Sequence, residues 1–255
     1  MLGFGLVRKL IGKIISLAFT LAILGALLFF FSPGKMIRKG ITSLGPKVTG
    51  TTVSLSDIGV SWLSGKGEIK GLNLGSPEGY KAESAVEIPV ATIAVKPTSL
   101  FSDKIIIKSI EIEAPFITYE GNMSGSNLTR IQENIDAFIA TIPQTPGGES
   151  KSGLTGGKKM QVDEVVIRNA KVKLALTVLG GRGADISLPE IRITNLGQGP
   201  EGITGAEVLK LVWNEVVKAT SEKVAGPLGG FGKGALETGE RILKGIGDMF
   251  KKGQK

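Results

Sequence analysis

The chain contains no cysteine and no histidine. The first absence excludes disulfides, thiolate metal sites and thiol nucleophiles. The second excludes a Ser-His-Asp triad, an imidazole general base and the usual zinc ligand sets. Only carboxylate, lysine or tyrosine chemistry is left for catalysis, so the expectation is a non-enzyme that carries no cofactor. Acidic residues are missing from residues 1–39, which hold six Lys and Arg. Residues 40–204 carry a net charge of −1 and residues 205–255 one of +3, so the overall +8 sits at the two ends. A neutral central region has no electrostatic footprint for a phosphate backbone, and nucleic acid is not an expected partner. The basic ends suit anionic lipid head groups.

One long apolar run is present, and no second run of comparable length follows it. Residues Ile14 to Phe31 read IISLAFTLAILGALLFFF without a charge. With the shoulder Ser32-Pro33-Gly34, at about 1.5 Å per residue, the run covers roughly 30 Å, the thickness of a bilayer core. Arg8, Lys9 and Lys13 precede it, and Lys35, Arg38 and Lys39 follow it. These six are candidate membrane-surface residues. A cleaved signal peptide calls for a shorter apolar core with small residues at its end. This run ends on Leu27-Leu28-Phe29-Phe30-Phe31, and its one small pair, Gly25-Ala26, lies inside it. The expectation is a single uncleaved transmembrane anchor over residues 1–39. The basic flanks balance, so their count does not set the orientation. A short charged tail before a long domain favours a cytoplasmic N-terminus with the main domain on the far side.

Residues 40–225 then read as one domain and residues 226–255 as a basic amphipathic tail. Met36 to Leu44 is a short helix leaving the membrane. Period-two, β-branched segments follow at Val48–Leu55, Gly67–Leu74, Ser84–Val95, Ile105–Glu113 and Phe116–Glu120. Turn residues at Gly65, Ser76-Pro77-Glu78-Gly79 and Ser102-Asp103 separate several of them. Close spacing without intervening helices favours an antiparallel meander. A helix from Leu128 to Ile139 has Leu128, Ile131, Ile135, Phe138 and Ile139 on one stripe, with Ser126 or Asn127 as its cap. Residues 144–159 are Gly-, Ser- and Lys-rich and read as a mobile loop. Strands resume at residues 162–167, 170–178 and 185–193.

Ile107, Ile110, Ile112, Pro115, Ile117 and Tyr119 match Val162, Val165, Ile167, Ala170, Val172 and Leu174 at a constant offset of 55. That echo suggests that the sheet continues across the loop. Residues 204–225 form the best helix in the chain, with Thr204 and Glu207 as a capping box. Residues 235–252 give a second amphipathic candidate, weakened by three glycines. Its Lys244, Lys251 and Lys252 join the membrane-surface set. The expected fold class is α+β: a transmembrane helix, then a twisted, mainly antiparallel sheet shaped as a groove, with a few flanking helices.

Motifs of chemistry are weak. The stretch Gly230-Phe231-Gly232-Lys233-Gly234 has Pro227 where a phosphate loop needs its first Gly, and Gly234 where it needs a hydroxyl. Gly156-Gly157-Lys158-Lys159 fails the same test at Ser152. Glu111/Glu113, Asp163/Glu164 and Lys171/Lys173 fit the solvent face of a half-buried sheet. The apolar face of the strands carries more information, with Ile105, Ile107, Ile110, Ile112, Ile117 and Val172 as candidate groove residues. Either the helices close this face into a complete core, or it stays under-covered and offers a groove to acyl chains. Periodicity does not choose between the two.

The order of segments is familiar. An N-terminal anchor is followed by VSLSDIGVSWLSGKGEIKGLNLGSPEGY, then KIIIKSIEIEAPFITYE and GSNLTRIQENI. Near the end, ISLPEIRITNLG precedes GITGAEVLKLVWNEV. Over roughly residues 1–225 this resembles the bacterial AsmA-like family, related to TamB and to the chorein-type bridge lipid-transfer proteins. The resemblance implies a protein anchored in the inner membrane, with its domain in the periplasm and a taco-like apolar sheet. It also implies a role in phospholipid transport and outer-membrane assembly. Implied partners are the bilayer, a phospholipid or other acyl-chain ligand, and other envelope proteins. The chain is short for the family, which suits a stub, a shuttle or an oligomer building block better than a full bridge. A non-transport envelope scaffold is the alternative.

Overall fold

The computed structural model describes residues 13, 15–21, 23, 33–61, 64–122, 125–142, 158–176 and 185–225. Residues 13, 15–21 and 23 are helical (α1). The remainder of the apolar run, the loop over residues 144–157 and the tail from residue 226 lie outside the described residues. Among those described, no helix is long and apolar enough to cross a membrane.

The next helix, α2, spans Pro33–Thr49 and is longer than the segment expected from Met36 to Leu44. It takes over the start of the strand expected at Val48–Leu55. Val48 is buried in the main core, and that contact overrides the strand preference of the Thr-rich segment after it. Gly50 stops the helix with φ +67°, its N–H bonded to the Pro46 carbonyl, as a C-terminal glycine does.

Among the described residues the fold is α+β, a mainly antiparallel but mixed sheet with four helices. Their strands form six rows. Row one is β1 (Val53–Ser54) and β2 (Asp57–Ser61); row two is β3 (Lys66–Gly75); row three is β4 (Ser84–Val95). Row four is β5 (Lys104–Glu113) and β6 (Phe116–Asn122), with the short β7 (Gly125–Ser126) hairpinned onto β6. Row five is β8 (Lys159–Arg168) and β9 (Lys171–Leu176), and row six is β11 (Ile191–Leu196) and β10 (Asp185–Ser187). All neighbouring rows are antiparallel except rows four and five, which are parallel. The simple meander is therefore corrected: helix α3 (Asn127–Ala140) lies in the crossover that a parallel pair requires. The offset of 55 is the register of that parallel ladder. Ile107 pairs with Val162, Ile112 with Ile167, Ile117 with Val172 and Tyr119 with Leu174.

Every row breaks at the same level, and together the breaks make a crease across the sheet. Inward-facing residues alternate by two along each strand and then step by three. The steps run from Leu55 to Ile58, Leu72 to Ile69, Ile88 to Ala91, Ile112 to Pro115, Ile167 to Ala170 and Ile191 to Leu188. The residues within the steps explain the breaks. Pro89 has no N–H to give the ladder. Gly71, Ala114 and Asn169 have φ of +58°, +48° and +55°. The backbone stays satisfied sideways: Ser56 donates to Lys70, Ala114 to Arg168, Lys171 to Pro115 and Leu188 to Ala170. The register is the same on both sides of the crease in every pair of rows, so no strand gains a residue on its neighbour there. The single strand expected over residues 185–193 is accordingly two, divided at Leu188-Pro189-Glu190.

Helix α3 is capped by Ser126, whose side chain accepts from the Thr129 N–H while Thr129 bonds back. Helix α4, residues 205–225, starts as expected. Thr204 N–H and Oγ1 reach the Glu207 carboxyl at 2.7 and 2.8 Å, and the Glu207 N–H returns to Thr204 Oγ1 at 3.2 Å. Buried Glu120 ties the β3–β4 turn to β6, accepting from the Lys81 and Ala82 N–H groups at 2.8 and 2.7 Å.

Candidate functional site

Three helices cover one face of the sheet, unequally. Helix α2 lies along row one; Gly34 is against Ile58 and Gly45 against Val53. Helix α4 lies over rows four to six, with Val208 clustered with Ile107, Val162 and Val165, and Val216 in the main core. Helix α3 closes the Gly75 end. Asn134 Nδ2 donates to the Thr49 carbonyl of α2 at 2.8 Å, and the indole Nε1 of Trp213 in α4 donates to the Leu128 carbonyl at 3.1 Å. Gln132 bonds Asn214, and Lys210 pairs with Asp136 at 2.7 Å, so α3 and α4 are joined at three places.

Between α2 and α4 the face is not filled. A cavity of about 360 Å³ lies over the crease. Its floor includes Leu72, Ile88, Ile112 and Ile117; one wall is Ile41 and Val48 of α2, the other Leu209 and Trp213 of α4. Thr49 is the one lining side chain with a hydroxyl, and that hydroxyl is spent on the Gly45 carbonyl at 2.9 Å and on Thr51. Leu72, Ile88, Ile112 and Leu209 are only partly buried, so the space opens to the exterior. Such a surface offers no acid, base or metal ligand. It offers contact area to an apolar group.

The candidate groove residues are divided by this arrangement. Ile112 and Ile117 line the cavity. Ile107, with Ile105 and Ile110 against it, belongs to a second cluster with Val162, Val165 and Val208. Val172 is 0% exposed within the main core and does not line the cavity. The α2 and α4 walls escaped the sequence reasoning, because the gap depends on how far apart two helices sit on a sheet. The three-residue steps that place the floor are visible in the sequence.

The outer face is polar. Arg168 reaches Glu111 at 3.4 Å and Glu190 at 3.2 Å, while Arg192 bonds both Glu190 and Glu164. Hydrogen bonding to Arg192 holds the Glu190 carboxyl below its ordinary value. Glu113 accepts from Asn169 at 2.6 Å. Lys171 and Lys173 are exposed, Lys171 lying 5.9 Å above the Phe116 ring. These charges form a solvated cross-strand ladder.

The membrane-surface candidates also separate. Lys13, Lys35 and Lys39 are exposed. Arg38 is engaged within the fold, donating to the Leu55 and Ser56 carbonyls at 3.2 and 2.7 Å and lying 3.7 Å from Asp57. Arg8, Lys9, Lys244, Lys251 and Lys252 lie outside the described residues.

No protein-family model matches this chain, and no curated protein matches it. The geometry of the cleft is what bears on function.

Proposed function

We propose that the chain is an AsmA-like protein anchored in the inner membrane, with its sheet domain in the periplasm, that takes a phospholipid acyl chain into the cleft between α2 and α4. Its role on this reading is phospholipid handling in support of outer-membrane assembly. The observation that carries the reading is the cavity: about 360 Å³ and lined almost wholly by apolar side chains. That size is within the roughly 300–1,000 Å³ of small-ligand pockets. It suits one chain, with the head group left in water.

The anchoring rests on α1. Leu17 is 61% and Phe19 69% exposed, and every described residue of that helix is exposed. A helix that is apolar all round needs a lipid or protein environment.

Photo-crosslinking tests the reading. A benzophenone side chain replacing Ile88 on the cavity floor is expected to yield an adduct of phospholipid mass. The same group replacing Thr92, exposed on the outer face, is not. Equal adducts at both positions, or none at Ile88, contradict it. One observation favours a second reading, a non-transport scaffold: α4 is pinned to α3 by three side-chain contacts, so much of the face is permanent core. A protein adduct at Ile88 would support the scaffold.

A further inference from the structure

The end of the sheet opposite Gly75 carries a surface that neither the core nor the cleft uses. The 3-10 turn Pro97–Phe101 joins β4 to β5 there, and Phe101 at its tip is 92% exposed. No large apolar residue among those described is more exposed. Five lysines share this end of the sheet. Lys96 precedes the turn and is exposed, and Lys66 begins β3 beside Ala94. Lys104 and Lys159 are register partners at the first position of the β5–β8 ladder. Lys158 donates from Nζ to the Leu100 carbonyl at 2.7 Å, which places its charge directly on the turn. The acids near this end are Glu68, Asp103, Glu201 and Glu207; Glu68 pairs with Lys70 and Glu207 with the Thr204 cap, while Lys104 donates to the Gly199 carbonyl. The balance is positive around an exposed ring.

Helix α2 runs from Ile58 toward Val53, so its N-terminus, where the apolar run joins the domain, faces this same end. Met36 in its first turn is 71% exposed.

We propose that this end of the sheet docks on the anionic surface of a lipid bilayer, Phe101 entering the interface and the lysines meeting the head groups. An exposed aromatic ring on a lysine-rich end has the two properties that interfacial binding combines, apolar insertion and attraction to acidic lipid. Long lysine stems can lie along the interface with their charges in water. The proposal rests on the anchoring part of the function above and is independent of what fills the cleft. It sets the domain's orientation: rows standing on the membrane, with the Gly75 end away from it.

The absence of native cysteine makes the test specific. The full chain carrying Phe101→Cys with a spin label is reconstituted in vesicles of phosphatidylcholine, or of equimolar phosphatidylcholine and phosphatidylglycerol. Glu78→Cys, on the exposed turn at the other end, serves as reference. In the anionic vesicles the label at 101 is expected to favour oxygen over a water-soluble nickel relaxant, while the label at 78 stays aqueous. Adding Lys96→Glu with Lys158→Glu should remove that preference. A chain that floats with the vesicles but has equally aqueous labels at both positions overturns the docking and leaves the anchor standing. A chain that fails to float overturns both. Burial of the label only in native membranes, with none in lipid vesicles, assigns the surface to a protein partner and overturns the proposal.

Discussion

Trp213 does two jobs from one position. Its ring lines the cavity and its indole N–H is spent on the Leu128 carbonyl, which ties α4 to α3 in a buried setting. Removing the donor leaves that carbonyl without this partner, while a ring of similar shape keeps most of the packing. Trp213→Phe is therefore expected to cost about 1–3 kcal/mol, measured by chemical denaturation of the full chain in mild detergent. A cost near zero would mean that the bond does not hold the wall in place. Asn127 shows the same economy. It is fully buried, its Oδ1 accepting from Glu120 and Leu128 N–H groups and its Nδ2 donating to the Thr118 carbonyl, so its side chain replaces a strand edge where β6 meets α3.

The crease and the α4 cap are the two elements most sensitive to a single substitution. Gly71 has φ +58°, and a Cβ there would stand 2.4 Å from Ser56 Oγ. Gly71→Ala meets a left-handed backbone cost of about 1–2 kcal/mol as well as that clash, so a lowered melting temperature is expected. Adding Ser56→Gly should recover the part owed to the clash and leave the backbone part. At the α4 cap, burial alone would raise the Glu207 pKa, but the bonds from Thr204 and the nearby Lys159 outweigh it and hold the carboxyl below its ordinary 4.5. A depressed acid stabilises the fold above its unfolded pKa, and that contribution fades as pH falls through the folded value. The stability of the wild type should thus drop more steeply below about pH 4.5 than that of Glu207→Gln. Parallel pH profiles of the two proteins would refute the cap as an ionised one.

Much of this element structure was legible in the sequence. The offset of 55 is the parallel register, and the three-residue steps from Ile112 to Pro115 and from Ile167 to Ala170 mark the crease within it. The Thr204–Glu207 box follows from local chemistry alone, whereas local chemistry leaves the α3 cap to Ser126 or Asn127 and the fold decides for Ser126. The segment from Val48 to Thr52 was not legible, because burial of Val48 against the core decides its conformation. The parallel pairing needed the α3 crossover, which no local pattern announces. The cavity was least legible of all, since it is the space left between two helices that sequence places 150 residues or more apart.

The whole molecule combines an exposed apolar helix, a creased six-row sheet and an apolar cleft over the crease. The outer face spends its charges in exposed pairs, each contributing at most about 1 kcal/mol, so the inner face dominates both stability and binding. On the proposed function, the cleft holds an acyl chain. Native mass spectrometry of the full chain released from detergent tests it most directly. We predict a population carrying one phospholipid mass, lost when Leu209→Asp puts a charge in the cavity wall and retained when Phe116→Asp puts one on the outer face. Identical lipid retention by the two variants, or a wild type that carries none, would contradict the claim.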